Sequence, residues 1–240
     1  MHPFLDWPGP LAFAHRGGAS DNPENTLPAF RHAVDLGYTF IETDVHATSD
    51  GVLLAFHDAD LTRTCGRPGR IDALPWSEVS TARVEGREPI PRFDDLLDEF
   101  PRVRFNIDCK DESGVEPLVT MLRARPELLG RVLVSSFDDT RIQRIRGQVG
   151  PGLATGYGTR GVAAFKLTGR LRWPGEALQV PVRQGPVRVV TRGFVRRAHR
   201  AGVQVHVWTI DELLDLGVDG IMTDRPAVLK DVLTARRAWH

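Results

Sequence analysis

Short apolar runs alternate with amphipathic stretches along all 240 residues of the chain. Eight of the runs have strand length and strand composition: residues 11–15, 40–45, 103–107, 132–135, 152–155, 178–181, 204–208 and 220–223. Between them apolar positions recur at helical spacing, which predicts helices near 27–35, 93–99, 115–123, 140–146, 193–200 and 227–238. Eight strands at about 30 residues per unit match the size of a βα repeat. Such alternation makes a parallel sheet covered by helices, and eight units without an intervening linker predict an α/β fold, a (β/α)8 TIM barrel formed by residues 1–240 as one domain. An open nucleotide-binding sheet would carry a Gly-rich turn after its first strand. The turn here reads His15-Arg16-Gly17-Gly18-Ala19-Ser20, without GxGxxG order, and no P-loop pattern occurs.

Two places break the alternation. Residues from about 46 to 91 contain an Asp50-Gly51 turn, a short strand ending at Phe56 and a Gly- and Pro-rich stretch, and they predict a small insertion after strand 2 that walls the mouth of the barrel. Only residues 209–219 separate the last two strands, so the helix between them has two turns at most.

Polar residues inside the strands mark the candidate chemistry. In the run 40–45, Glu42 and Asp44 stand two apart and share one face. Two buried like charges repel unless a cation neutralises them, so the pair reads either as metal ligands or as a strand end paired with arginine. Asn106, Asp108 and Lys110 repeat the alternation, with Ile107 and Cys109 turned to the helices. They read as a ligand beside a phosphate-binding cation, or as an internal Asp108–Lys110 ion pair. Three carboxylates without clustered His and Cys suit Mg²⁺ or Ca²⁺, with Mn²⁺ the third candidate, rather than Zn²⁺. His15 beside Arg16, and His57 beside Asp58, end apolar runs and read as acid/base groups. His46 shares the Glu42/Asp44 face and is a third candidate, whereas His206 reads as a core or supporting residue. All of these fall at the carboxyl ends of strands, where barrel active sites gather, and no Gly-x-Ser-x-Gly elbow competes with them.

Composition narrows the setting. With 31 Lys+Arg against 31 Asp+Glu the formal charge is zero, which removes the electrostatic case for nucleic acid as a partner. The neutrality is uneven: residues 141–200 hold 13 basic residues and one acid, Glu176. Solvated helix faces account for such a run, and an anionic partner or membrane surface is the other reading. No apolar run reaches membrane-spanning length, and residues 1–10 show no secretory leader. Cys65 and Cys109 lack CxxC spacing and fit free thiols in a cytoplasmic protein better than a disulfide.

Six ordered motifs then resemble one family: AHRGG at 14–18, PENTLPAF at 23–30, IETDVHATSDG at 41–51, FHDADLTRT at 56–64, FNIDCK at 105–110, and VHVWT followed by GVDGIMTDRP. The chain resembles a glycerophosphodiester phosphodiesterase over almost its whole length. The resemblance implies a phospholipase C-like barrel that hydrolyses small-molecule glycerophosphodiesters to sn-glycerol 3-phosphate and an alcohol, through attack by the glycerol 2-hydroxyl and a cyclic phosphate. It implies His15 and His57 as the acid/base pair, Glu42, Asp44 and Asp108 as ligands of one divalent metal, and Arg16 and Lys110 as phosphate contacts. Glu24 and Asn25 would order the loop beside His15, Asn106 would support the site, and Trp208 would wall the glycerol side. Two departures stand out: the third ligand is Asp108 where the family has Glu, and the segment after Trp208 is short, which predicts reduced lid structure there. Two other readings remain open at this point, a phospholipase acting on lysophospholipids with the same site and a phosphate-ligand binder without turnover.

Overall fold

The computed structural model describes residues 1–208 and 213–240. Its centre is a barrel of eight parallel strands: β1 Leu11–His15, β2 Phe40–Ala47, β3 Arg104–Cys109, β4 Val132–Ser135, β5 Ala154–Tyr157, β6 Ala177–Pro181, β7 Gln204–Trp208 and β8 Gly220–Thr223. Each pairs with the next in parallel, and β8 pairs with β1 to close the ring. The helices that cover it are α1 Leu27–Asp35, α2 Phe93–Glu99, α3 Val115–Ala124, α4 Asp139–Val149, α5 Thr159–Thr168, α6 Arg192–Arg200 and α7 Pro226–Ala235. The TIM barrel that the alternation predicts is therefore the observed fold.

The differences are local and have physical reasons. Strand β5 begins at Ala154, two residues later than expected, because residues 151–152 form a turn. It runs through Gly156, where a Cβ would meet Ser135 Cβ at 3.3 Å. Helix α5 was not expected at all. Its first turn is capped from outside: the Asp139 carboxylate accepts from the amides of Gly158, Arg160 and Gly161 at 2.8–3.2 Å. A cap about twenty residues away leaves no local signal. A two-stranded hairpin, Arg183–Gln184 with Val187–Arg188, was also unforeseen. The β7–β8 crossover has only a 3-10 turn, Leu214–Leu216, among its described residues. The expected reduction of lid structure at 209–212 lies outside the described residues.

The insertion pairs Leu53–Ala55 antiparallel with β2 and has its own apolar cluster, which includes Leu54, Phe56, Leu61, Ile71 and Val84. The barrel bottom is plugged from the N-terminus. Phe4 is fully buried against Phe13 and Phe40, with ring centroids 6.4 and 5.7 Å away. Arg104 donates to the carbonyls of Phe4 and Asp6 at 3.0 and 2.9 Å, and its guanidinium lies over the Trp7 and Phe40 rings. Burial of so large a side chain makes Phe4→Ala a test of the plug: the substitution is expected to cost about 3–5 kcal/mol in denaturant unfolding. Activity per folded molecule should be unchanged, since the plug lies at the end opposite the site.

Candidate active site

Strand register assembles the site. Glu42 stands opposite His15 on one side and Asn106 on the other, and Asp44 stands opposite Asp108. The alternation of side chains across a strand then turns Glu42, Asp44 and Asp108 into one end of the barrel. There they border a cavity of ≈ 600 Å³ together with His15, Arg16, His57, Lys110 and Trp208. The structure thus brings the eight principal residues singled out from sequence into one space.

The supporting residues lie around its edge. Glu24 accepts from Arg16 at 3.0 Å and from Arg63 at 2.5 Å. Asn25, held at φ +55°, donates to Asp44 at 3.0 Å and accepts from Thr43 at 2.7 Å. Asn106 lies deeper and exchanges amide contacts with Gln179. His46 does not border the cavity. It is buried, with Nδ1 2.7 Å from Asp111 and Nε2 3.0 Å from the carbonyl of His57, so it anchors the start of the insertion. His206 is wholly buried, and desolvation pushes its pKa down to about 3, which makes it a neutral core residue.

Charge governs this end of the barrel. Glu42 and Asp44 are buried and Asp108 is half-buried, and loss of water opposes ionisation of each. For Asp44, Lys110 and Arg16 outweigh burial and hold the pKa below the ordinary value. Lys110 Nζ lies 3.2 Å from Asp44 and 3.0 Å from Asp108, so the ion pair considered from sequence is present. Arg16 Nε is 3.1 Å from Asp44, a contact of charge without hydrogen-bond geometry. Glu42 has weaker compensation, and burial followed by repulsion from Asp44 raises its pKa. Asp108 is likewise raised, by burial first, and its Oδ1 is buried without a hydrogen-bond partner.

Among the described residues no three metal-capable side chains are drawn into a closed ligand set. The donor chemistry nevertheless fits a hard divalent cation: three inward carboxylates, one of them with an orphaned oxygen and another held reluctant to ionise.

Both histidines are oriented by carboxylates. His15 Nδ1 is 2.6 Å from Asp224, and His57 Nδ1 is 2.6 Å from Asp58. A carboxylate only accepts, so each Nδ1 carries the proton; both rings border the cavity, and His15 Nε2 lies 3.7 Å from Glu42. Their titrations are driven apart. Burial lowers both, but at His15 the charges of Glu42 and Asp224 prevail and the pKa is raised, whereas at His57 burial prevails and it is lowered. Asp224, Phe137 and Arg63 were given no role from the sequence. Asp224 and Phe137 follow strand ends in the same way as the residues that were found, and that position is the signal that could have identified them. Arg63 bridges Asp58 to Glu24, a contact set only by the folded insertion.

A tight turn holds Arg16. Arg16, Gly17 and Gly18 have φ of 52°, 82° and 98°, and a Cβ on Gly17 would lie 2.9 Å from Ala29 Cβ. Gly17→Ala is therefore expected to lower stability by about 1 kcal/mol or more and to reduce turnover, read by urea midpoint and initial rate.

A sequence model of the glycerophosphoryl diester phosphodiesterase family matches residues 15–228. A Mycobacterium tuberculosis protein named probable glycerophosphodiester phosphodiesterase 2 is 41% identical, covering 98% of this chain and 95% of its own. The crystal structure of a glycerophosphodiester phosphodiesterase from Agrobacterium tumefaciens aligns with a TM-score of 0.76 at 23% identity, over 93% of this chain and 98% of the other. An Oleispira antarctica phosphodiesterase in complex with the product sn-glycerol-3-phosphate aligns with a TM-score of 0.76 at 23% identity, over 94% and 97%.

Proposed function

The chain belongs to the glycerophosphoryl diester phosphodiesterase family, and on that premise we propose that it hydrolyses glycerophosphodiesters to sn-glycerol 3-phosphate and an alcohol with His57 and His15 as an acid/base pair. The observation that carries the assignment is the pair of imidazoles, each fixed through Nδ1 by a carboxylate at 2.6 Å and shifted in opposite directions. A lowered pKa leaves His57 neutral and able to accept a proton. A raised one keeps His15 protonated and able to donate.

In the first step His57 Nε2 takes the proton of the glycerol 2-hydroxyl, whose oxygen attacks phosphorus. The bond to the departing alcohol breaks, and His15 Nε2 delivers its proton to the alkoxide. In the second step a water oxygen opens the cyclic phosphate, giving its proton to His15, while His57 returns its proton to the 2-oxygen. Both imidazoles are thereby restored. Arg16 and Lys110 hold the phosphate oxygens, and Trp208 walls the glycerol. A divalent cation, Mg²⁺ or Ca²⁺, held by Glu42, Asp44 and Asp108 would supply positive charge to the phosphate. No helix among the described residues is long and apolar enough to cross a membrane. Two unbridged cysteines support a cytoplasmic setting.

Purified protein should release glycerol 3-phosphate from sn-glycero-3-phosphocholine, lose that activity in chelator and regain it with Mg²⁺ or Ca²⁺. Release undiminished by chelator removes the metal from the scheme, and no release from a panel of glycerophosphodiesters removes the reading.

The log of kcat/KM should rise with pH through a value below the ordinary histidine pKa, as His57 loses its proton, and fall above that value, as His15 loses its own. His57→Ala and His15→Ala should each reduce kcat by about 100-fold or more, with the circular dichroism spectrum kept. A narrow profile centred on the ordinary value would contradict the division of roles.

A further inference from the structure

Among the described residues, one cation on the wall of the catalytic cavity takes no part in the assigned chemistry. Arg225 follows Asp224 beyond the end of β8, stands exposed, and borders the same ≈ 600 Å³ space as His15 and His57. The other arginine and the lysine of that wall are already matched by acids: Arg16 lies on Glu24 and Asp44, and Lys110 on Asp44 and Asp108. Asp224 is matched in turn, with His15 Nδ1 at 2.6 Å. The Arg225 guanidinium has no hydrogen-bond or ion-pair partner among the described residues, while its backbone amide donates to Thr223 Oγ1 at 3.0 Å and fixes the root of the side chain.

Strand order places this free charge relative to the reaction. The ring runs β8, β1, β2, β3, so His15 at the end of β1 lies between Arg225 beyond β8 and the acids of β2 and β3. The phosphate belongs with those acids, Arg16 and Lys110, and His15 gives its proton to the departing alkoxide. The alcohol therefore leaves on the β8 side, toward Arg225. A guanidinium there offers a planar fork of N–H donors that matches a carboxylate or a phosphate, and it repels a cationic alcohol such as choline. The aromatic wall does little to offset that repulsion. A quaternary ammonium seeks ring faces, but Lys110 Nζ already lies 5.5 Å from the Phe137 centroid, and Phe137 stacks on Trp208 with centroids 6.4 Å apart.

We propose that Arg225 is a specificity-determining residue, and that the preferred substrates are glycerophosphodiesters whose departing alcohol carries a further anionic group, a carboxylate or a phosphate. The inference rests on the phosphodiesterase reading above and specifies its substrate class. The bonds made and broken are the same: the 2-hydroxyl attacks phosphorus, the bond from phosphorus to the alcohol oxygen breaks, and His15 protonates that oxygen. Arg225 meets the charge at the far end of the alcohol.

The test measures glycerol 3-phosphate release by the full chain, at low ionic strength, from glycerophosphodiesters of butan-1-ol, 4-aminobutan-1-ol, 4-hydroxybutanoate and 4-hydroxybutyl phosphate. These alcohols share one carbon spacing and differ in terminal charge. Relative to the butanol diester, kcat/KM is expected to be about threefold or more higher for the two anionic diesters and about threefold lower for the amine, the size of a partly exposed charge pair. Both differences should shrink in about 0.5 M salt. Arg225→Gln should bring the ratios of charged to neutral diester close to one, and Arg225→Glu should reverse their order. Ratios are unaffected by a general loss of turnover in a variant, and the salt series on the unaltered chain stands without one. A gain with only the carboxylate or only the phosphate supports the selection and names its anion. Equal kcat/KM for the four diesters overturns the selection and leaves the phosphodiesterase reading intact. Ratios that survive both Arg225 substitutions also overturn it. No glycerol 3-phosphate from any diester defeats the phosphodiesterase reading itself, and the selection with it.

Discussion

Three carboxylates turned toward one another across adjacent strands are the constraint on which the catalytic end of this barrel depends. Asp44 and Asp108 face each other across the β2–β3 ladder, and Glu42 lies one inward position away. Water is largely excluded from all three, so their mutual repulsion is poorly screened. The arrangement persists because cations are built into its rim. Lys110 closes on two of the acids, and Arg16 is delivered to Asp44 by a turn that forces a non-glycine residue to φ +52°. Backbone strain of this kind costs about 1–3 kcal/mol and is tolerated where surrounding contacts fix it. The compensation is incomplete, since Glu42 keeps a raised pKa and Asp108 keeps an unbonded oxygen. A site so poised attracts further positive charge and suits a phosphodiester whose anionic centre must be neutralised as it reacts.

The same electrostatics separates two chemically identical side chains. His15 and His57 each lean on an aspartate, yet one sits beside Glu42 and is biased toward the imidazolium while the other is governed by burial. The sequence could not supply that distinction, because it follows from which neighbours the register brings near. Register also explains why the inward acids were legible: alternation within a strand is a local property, and Glu42, Asp44 and Asp108 obey it. The partner aspartates were not read. Asp58 and Asp224 acquire meaning only when the insertion folds over the mouth and β8 closes against β1.

The fold was legible for a related reason. Eight strand-sized runs at regular spacing leave few alternatives to a closed parallel barrel, and the observed ring follows them closely. What escaped was set by long-range contacts. Helix α5 lacks a strong apolar stripe of its own, and its start is fixed by Asp139 reaching across from α4. Strand β5 contains Gly156, where a Cβ would come within 3.3 Å of Ser135 Cβ, tighter than an ordinary contact. A second cavity, of ≈ 320 Å³, is lined in part by α5, so the omission of that helix also hid that space.

The plug formed by Phe4, Trp7 and Arg104 closes the amino-terminal end of the strands, while every group assigned to the reaction stands at the carboxyl end. Endurance and turnover thus occupy opposite poles of one cylinder. Variation at the lower pole can accumulate, raising or lowering heat tolerance, without visiting the residues that meet substrate. For an enzyme whose upper pole is held near its electrostatic limit, that division leaves a whole face on which adaptation to temperature can proceed independently of chemistry.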